Sequence, residues 1–308
     1  MTFTPDDVPD LHGRRAVVTG ANSGIGFFTA LELARHGAAV DLACRNNDKA
    51  AHAAARIRAE VPAAEVEVAE LDLSSLRSVH AFAAGWDGPL DLLVNNAGVM
   101  APVHRVETED GFERQMGTNH LGHFALTGLL LPALLRARAP HVVTVSSLAH
   151  RSAAVDLADL QSRGAYRPQR AYGNSKLANL LFALELQRRA ERAGTRLVST
   201  AAHPGLASTG LTTNRDGVAG NPVLRVVASL AGRGLGQPAL VGALPTLYAA
   251  FRAAPGSYSG PRGWREWRGD PGPASMSRAA QDPELAAALW DRSRELTGVA
   301  YKWLAPRA

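Results

Sequence analysis

The sequence predicts a doubly wound α/β domain, in which a mostly parallel sheet of seven strands is covered by helices on both faces. Short apolar runs rich in Val, Leu and Ala alternate with longer helical stretches along most of the 308 residues. Strands this short, joined by helical crossovers, pair in parallel and are buried on both faces. No Pro- or Ser-rich linker divides the chain, so we predict one domain over residues 1–308.

The composition is that of a globular protein and excludes several other classes. Hydrophobic residues make up 46% of the chain and charged residues 20%, which is too apolar for a largely disordered protein. The formal net charge is +5, but no run of Lys or Arg exceeds two residues, so we expect no nucleic-acid partner. Cys44 is the one cysteine and cannot form an intrachain disulfide, which is compatible with the cytoplasmic location that we expect.

We expect neither a secretory signal nor a membrane span. The first ten residues lack a basic segment followed by an apolar stretch. Residues 116–135 contain no Asp, Glu, Lys or Arg, but they include Asn119, two histidines and Pro132, which are too polar for a lipid-spanning helix. A helix buried inside the protein fits this segment better.

The elements can be assigned in chain order. The predicted strands cover residues 16–19, 39–44, 66–71, 91–95, 141–146 and 196–202. Helices are predicted from a glycine-rich turn to about residue 37, and over residues 48–60, 74–86, 116–135, 172–193 and 282–301. Gly37 is a suitable C-cap for the first helix and Ser74 a suitable N-cap for the third. The Gly- and Pro-containing residues 206–235 predict a lid over a ligand cleft.

The turn after the first strand has the features of a dinucleotide-binding site. It reads Gly20-Ala-Asn-Ser-Gly24-Ile-Gly26, with a strand before it and a helix after it. Glycines allow a tight turn and the close approach of a phosphate, while a helix N-terminus offers free N–H groups and a positive dipole. An ordinary glycine-rich turn is the alternative. The predicted pyrophosphate contacts are Gly20, Asn22, Ser23, Gly24, Ile25 and Gly26.

The end of the second strand favours NADP(H) over NAD(H). An NAD site usually carries an acidic side chain there, which accepts hydrogen bonds from the free ribose 2′-hydroxyl. In this sequence the position holds Cys44, and the next residue, Arg45, can pair with a 2′-phosphate. Two alternatives remain: Arg45 is a solvated surface residue, or the strand register is shifted and Asp41 takes the acidic position.

Tyr172 and Lys176 are the predicted proton-transfer pair. They lie four positions apart on a predicted helix, so both project from one face. A free tyrosine, with a pKa near 10, is a poor acid or base at neutral pH, and we expect the neighbouring ammonium to lower that pKa. Only three of the 33 basic residues are lysines, so a lysine at this position hints at a need for a compact ammonium. An exposed helix pair is the alternative.

Three motifs in this order resemble the short-chain dehydrogenase/reductase family. They are the G-x-x-x-G-x-G turn, Asn95-Asn-Ala-Gly98 after the fourth strand, and Tyr172-x-x-x-Lys176. Residues 119–124, 145–150 and 175–179 look most like the retinol-dehydrogenase-like members. The resemblance implies a Rossmann fold and a nicotinamide-dependent oxidoreductase that acts on a small carbonyl or alcohol substrate, and Arg45 makes NADP(H) the expected cofactor.

The resemblance also implies roles for individual residues. In the family pattern, Ser147 polarises the substrate oxygen and Asn119 holds a water that connects Lys176 to solvent. Ser147 is preferred to Ser146 because it aligns with the family's catalytic position, and two hydroxyls capping a turn are the structural alternative. The further cofactor contacts that it implies, besides Tyr172 and Lys176, are Asp72, Leu73, Asn96, Ala97, Gly98, Pro204, Gly205 and Thr209. A capping role is the alternative for Asp72.

Other readings of the sequence are retained or excluded on specific grounds. A dinucleotide-binding sensor with little turnover and an imine or enone reductase both remain open. No G-x-S-x-G elbow surrounds Ser147, which argues against a serine hydrolase, and no spacing suggests a metal site. Residues 151–170 are an insertion for which we predict a rim or lid. The oligomeric state, whether monomer, homodimer or homotetramer, is left open.

Overall fold

The structure is a computed structural model that describes residues 2–100, 102–207 and 236–303. Its strands are β1 (Arg15–Thr19), β2 (Ala39–Cys44), β3 (Val66–Glu70), β4 (Leu92–Asn95), β5 (His141–Val145), β6 (Val198–Ala202), β7 (Tyr258–Pro261) and β8 (Pro271–Pro273). Its helices are α1 (Gly24–Arg35), α2 (Asn47–Glu60), α3 (Leu76–Ala84), α4 (Gly122–Arg136), α5 (Pro168–Arg192), α6 (Ala239–Phe251) and α7 (Pro283–Thr297).

All these strands form one sheet in the order β3-β2-β1-β4-β5-β6-β7-β8. Neighbouring strands are parallel from β3 to β7, and only the β7–β8 pair is antiparallel. The doubly wound fold class is therefore confirmed, but the predicted count of seven strands is wrong by one. The eighth strand has three residues, two of them prolines, so it has no apolar run that could indicate a strand and it lies at the sheet edge, where Pro is tolerated.

Helices cover both faces of the sheet, as the continuous apolar strands require. In β1, Val18 belongs to an apolar cluster that includes Leu31 of α1 on one face, and Val17 belongs to a second cluster that includes Leu130 of α4 on the other. The strand order reverses between β1 and β4, and ligands in open α/β sheets bind in the crevice beyond the carboxyl ends of such strands. This crevice is where the predicted site residues are expected to meet.

Several element boundaries differ from the predicted ones. Ser75, not Ser74, is the N-cap of α3, because the Ser75 hydroxyl accepts a hydrogen bond from the Ser78 N–H. The Ser74 N–H and hydroxyl both donate to Asp72 Oδ1 instead. Helix α5 begins at Pro168, four residues earlier than predicted, which places Tyr172 inside the helix and not at its start.

The predicted helix over residues 116–135 is interrupted. A short helical segment, Arg114–Met116, leads into a π-helical turn over Gly117–Leu121, and α4 follows directly. Single π-helical turns are frequent at functional sites because they redirect one turn of side chains and carbonyl groups. Asn119 lies in this turn.

The predicted lid is largely outside the described residues, since only residues 206 and 207 of 206–235 are described. The predicted C-terminal helix is present as α7. Among the described residues, no helix is both long enough and apolar enough to cross a bilayer.

Cys44 ends β2 with its thiol buried, and burial raises the pKa of that thiol to about 11.

Candidate active site

The glycine turn packs tightly against the end of β4. Gly20 has φ +66°, and a Cβ there would lie 3.0 Å from Cα and Cβ of Ala97. At Gly26 a Cβ would lie 2.5 Å from Asn96 Nδ2 and 2.6 Å from the Gly20 carbonyl oxygen, which is backbone and cannot move aside. Glycine is therefore required at both positions for the turn and the β4 loop to meet in the crevice.

The N-terminus of α1 is open to an anion. Ser23 is its N-cap, with an extended backbone at φ −163°, and the Ser23 side chain makes no capping hydrogen bond. Side chains do cap α2, α3 and α7, through Asn46, Ser75 and Asp282. The first-turn N–H groups of α1 are thus available for a phosphate, and the helix dipole favours the negative charge there.

Thr19 connects the glycine turn to the β4 loop, a role that the sequence analysis missed. Its hydroxyl oxygen accepts hydrogen bonds from the backbone N–H groups of Asn96 and Ala97, both at 2.9 Å. The Asn96 side chain donates in turn to the Thr19 carbonyl oxygen at 2.8 Å. The same hydroxyl lies 2.9 Å from His123 Nε2. These contacts hold Asn96 and Ala97 beside the turn, as the predicted cofactor role requires.

Asn119 is completely buried and holds the loop that follows Gly98. Its side-chain oxygen accepts a hydrogen bond from the Val99 N–H at 2.8 Å, and its amide nitrogen donates to the Val99 carbonyl oxygen at 3.0 Å and to Ser175 Oγ at 2.9 Å. His123 Nδ1 lies 2.9 Å from the Asn119 carbonyl oxygen. Burial lowers the pKa of His123 to about 4, so it is neutral near pH 7 and donates through one fixed nitrogen.

Lys176 lies on the same side of α5 as Tyr172, as the four-residue spacing predicts. Its ammonium nitrogen is 5.8 Å from the centroid of the Tyr172 ring and donates to the Val145 carbonyl oxygen at 3.2 Å. Lys176 is only 4% exposed, and this burial lowers its pKa from 10.5 to about 8. A Cβ on Gly98 would lie 3.4 Å from Nζ, so the glycine keeps the space in front of the ammonium open.

The two serines at the end of β5 have different partners. Ser146 is buried and donates to the Lys176 carbonyl oxygen at 2.7 Å, which fixes α5 against the sheet. Ser147 is half-buried, and its side chain hydrogen bonds with Tyr172. Its oxygen also accepts from the Ala149 N–H at 3.2 Å, so the capping alternative is realised together with the contact to Tyr172.

The pKa of Tyr172 shifts in the direction opposite to the prediction. Burial raises it above 10, and the hydrogen bond with Ser147 lowers it by less. Lys176 does not offset this effect, because its ammonium stands beside the ring, 5.8 Å from the centroid, and donates to the Val145 carbonyl oxygen and not to the phenol. Tyr172 is therefore a protonated phenol at neutral pH in this structure.

The predicted adenosine end lies at the ends of β2 and β3. Arg45 is exposed, and it lines a cleft of about 600 Å³ together with Asp72 and Arg77. The β2 register places Cys44 opposite Glu70 at the strand end, with no shift. Asp41 pairs with Arg15 at 3.3 Å, so it does not take the acidic position.

The predicted nicotinamide end follows β6. Gly205 has φ +66°, and a Cβ there would lie 2.4 Å from the Trp267 carbonyl oxygen. Gln237 Nε2 donates to the Pro204 carbonyl oxygen at 2.8 Å. Thr209 lies outside the described residues. The remaining predicted contacts lie in the turn (Asn22, half-exposed; Gly24, φ +58°; Ile25, buried) and just before α3 (Leu73, buried).

The insertion, residues 151–170, packs against the segment that follows β4. Tyr166 donates a hydrogen bond to the Pro102 carbonyl oxygen and accepts one from Gln115 Nε2, both at 3.1 Å. Arg105 Nε donates to the Gln161 carbonyl oxygen at 3.0 Å.

Across residues 2–100, 102–207 and 236–303, no three His, Cys, Asp or Glu side chains gather into a group that could hold a metal ion.

A family model described as short chain dehydrogenase matches residues 14–217, which include the glycine turn, Asn119, Ser147, Tyr172 and Lys176. The chain belongs to the short-chain dehydrogenase family. Two relatives of this chain are mouse proteins: polyprenol dehydrogenase, 43% identical over 96% of this chain and 87% of the relative, and retinol dehydrogenase 14, 38% identical over 94% and 87%.

Solved structures agree with the family assignment. The protein in a crystal structure from Mycobacterium paratuberculosis is 45% identical to this one; the match covers 98% of this chain and 100% of that chain, with a TM-score of 0.80. Two short chain dehydrogenases that are each 25% identical were solved with cofactors. One, from Escherichia coli CFT073, is complexed with NADPH (TM-score 0.56, 79% and 92% covered), and one, from Burkholderia phymatum, with NAD (TM-score 0.62, 78% and 86% covered).

Proposed function

We propose that this dehydrogenase uses NADP(H) to interconvert a carbonyl compound and an alcohol, with Tyr172 transferring the proton. The convergence of separate elements on the Tyr172 phenol carries the proposal. Ser147, from the end of β5, hydrogen bonds with it, and Lys176 lies one helical turn further along α5. Asn119, from the π-helical turn, reaches the same helix through Ser175. A protein that only binds a dinucleotide has no evident need for this set.

Different residues would bind different parts of the dinucleotide. The open N-terminus of α1 and the turn at Gly20–Gly26 would hold the pyrophosphate, and Arg45 a 2′-phosphate. The turn at Pro204 and Gly205 would hold the nicotinamide end. When bound, the dinucleotide supplies or accepts the hydride. The local packing supports this, because Gly20 and Gly26 let the turn lie directly against Ala97 and Asn96, where a Cβ would clash.

The ionisation states suit proton donation, and therefore reduction, at neutral pH. Tyr172 keeps its proton because its pKa lies above 10, so its O–H can be donated to a carbonyl oxygen as negative charge develops there. Ser147, within hydrogen-bonding distance of the phenol, would polarise the same oxygen. Lys176 carries its positive charge below about pH 8, where it stabilises the phenolate that is left.

Apolar alcohols and the corresponding carbonyl compounds are the proposed substrate class. Polyprenol and retinol, named in the relatives, are both apolar alcohols, and those relatives cover more than nine-tenths of this chain. The preference for NADP(H) rests on Arg45 and on the lack of an acid at the end of β2, since neighbours with NADPH and with NAD both occur. We also propose that the protein works in the cytoplasm.

The direct test follows the absorbance of NADPH during incubation with a panel of apolar aldehydes and ketones. We expect turnover by the unmodified protein and its loss in Tyr172→Phe. NADPH binding without turnover of any panel member would favour a dinucleotide-binding sensor. Product analysis distinguishes carbonyl reduction from imine or enone reduction.

Replacement of Arg45 by Ala is expected to weaken NADPH binding by roughly ten- to hundredfold and NADH binding by less than about twofold. A charge-assisted hydrogen bond to a phosphate contributes about 1.5–3 kcal/mol, and NADH lacks the 2′-phosphate. Titration of both cofactors against the variant measures the two affinities.

Arg77→Ala is the matched control, because Arg77 lines the same cleft but is 83% exposed and faces Glu109. It should leave both affinities unchanged. Equal weakening of NADPH and NADH by Arg45→Ala would refute the 2′-phosphate assignment.

A further inference from the structure

Two consecutive residues of the segment between β7 and β8 have a left-handed backbone. Arg265 has φ 52° and Glu266 φ 58°, and neither is a glycine. Such conformations cost roughly 1–3 kcal/mol each and persist where the surrounding structure holds them, often beside functional sites. The contacts of the Glu266 side chain explain why this left-handed backbone is kept here.

The Glu266 carboxylate has three partners from three parts of the chain. Its Oε2 lies 3.0 Å from His203 Nε2 and 2.7 Å from Arg151 Nη2, and its Oε1 accepts from the Ser275 N–H at 3.1 Å. These contacts hold the pKa of Glu266 at about 2, so it is a carboxylate throughout the physiological range.

One of the three partners, His203, contacts the turn that follows β6. His203 is completely buried, and its Nδ1 accepts a hydrogen bond from the Gly205 N–H at 3.2 Å. Because Nδ1 accepts, a neutral His203 carries its proton on Nε2 and donates it to Glu266. Gly260 leaves the room for this ring, since a Cβ there would lie 1.9 Å from His203 Nε2. Glu266 therefore fixes both the orientation and the tautomer of the ring that holds Gly205.

A second partner of Glu266, Arg151, lies close to Ser147. Arg151 belongs to the helical turn Leu148–Ser152, which begins directly after Ser147 and has Ser147 as its N-cap. An ion pair between Arg151 and Glu266 ties this turn to the β7–β8 segment. One carboxylate thus joins the backbone beside Ser147 to the backbone beside Gly205.

We propose that Glu266 is a positioning residue that sets the nicotinamide turn, Pro204–Gly205, relative to Ser147. This inference rests on the proposed function. Glu266 acts through His203 and Arg151 and has no role in proton transfer. Misplacement of a reacting group by about 1 Å can lower a rate about a hundredfold, so an ion-paired, half-buried carboxylate that fixes this alignment has a large effect on the rate.

Binding measurements test the proposal without requiring turnover. Glu266→Gln keeps the size of the side chain but removes the charge shared between His203 and Arg151. We expect it to weaken NADPH binding about tenfold while leaving the binding of adenosine 2′,5′-bisphosphate, which lacks the nicotinamide end, within about twofold. Glu295→Gln, on the exposed face of α7 where Glu295 pairs with Arg292, is the matched control and should alter neither affinity.

A second variant separates the two connections of Glu266. Arg151→Met cuts the connection to the Ser147 turn and leaves His203 in place, so kcat should fall about tenfold with little change in NADPH affinity. Equal weakening of both ligands by Glu266→Gln, or no weakening of either, would overturn the proposal. If the unmodified protein bound neither ligand, the proposed function itself would fail.

Discussion

Replacement of Tyr172 by Phe is expected to lower kcat/KM for carbonyl reduction by roughly 10²–10⁴-fold, the usual contribution of a general acid. The variant keeps the ring and its packing on α5 and loses only the hydroxyl that hydrogen bonds with Ser147. NADPH affinity should therefore change by less than about threefold. Steady-state kinetics and a cofactor titration on the same preparation measure both quantities.

Tyr166→Phe is the control for Tyr172→Phe. The Tyr166 hydroxyl is also hydrogen-bonded, to Pro102 and Gln115, but it lies in the insertion and outside the converging set. Its loss should leave kcat/KM within a few-fold. Full activity in Tyr172→Phe would mean that the proton comes from another group.

Replacement of Lys176 by Met is expected to produce the second large loss, about 10²–10³-fold in kcat/KM, because it removes a buried positive charge beside the ring on which the phenolate forms. In the unmodified protein, kcat/KM for reduction should fall as the pH rises through about 8, where Lys176 loses its proton. Tyr172 remains protonated over that range because its pKa lies above 10. The fall near pH 8 should be absent in Lys176→Met.

Stability measurements show whether Lys176→Met loses its activity because the charge is missing or because the variant unfolds. Lys176 has a folded-state pKa of about 8 against an ordinary value of 10.5, so the unfolded chain binds more protons between these values and stability rises with pH across that window. Keeping the ammonium buried at pH 7 costs about 3 kcal/mol, and Lys176→Met should be no less stable than the parent. Lys49→Met, at an exposed position of α2, should keep both the activity and the fall near pH 8. Retention of that fall in Lys176→Met would disprove the assignment of the pH 8 transition to Lys176.

The sequence predicts those parts of the protein that depend on neighbouring residues. The glycine turn, the order of strands and helices and the shared face of Tyr172 and Lys176 all follow from local spacing. β8 is too short and too rich in Pro to be recognised, and the choice of Ser75 over Ser74 as a cap depends on Asp72, which holds Ser74.

Long-range contacts decide the features that the sequence does not predict. Thr19 meets His123 across 104 residues and His203 meets Glu266 across 63, so no local pattern identifies these pairs. The pKa of Tyr172 was predicted in the wrong direction for the same reason. The helix spacing predicts the ammonium beside the phenol, but the desolvation that outweighs it comes from the packed tertiary structure.

The single cysteine can report on local opening of the protein, because a maleimide reacts with its thiol only when that thiol is exposed. Cys44 ends β2, where it pairs with Glu70 of β3 and its buried side chain belongs to the same apolar cluster as Phe27 of α1, so a maleimide can reach it only after this region opens. Its alkylation should be far slower than that of a free thiol and should quicken in denaturant. A bound dinucleotide should slow it further, by roughly a hundredfold at a ligand concentration one hundred times Kd, which offers a cofactor-binding assay that needs no introduced cysteine.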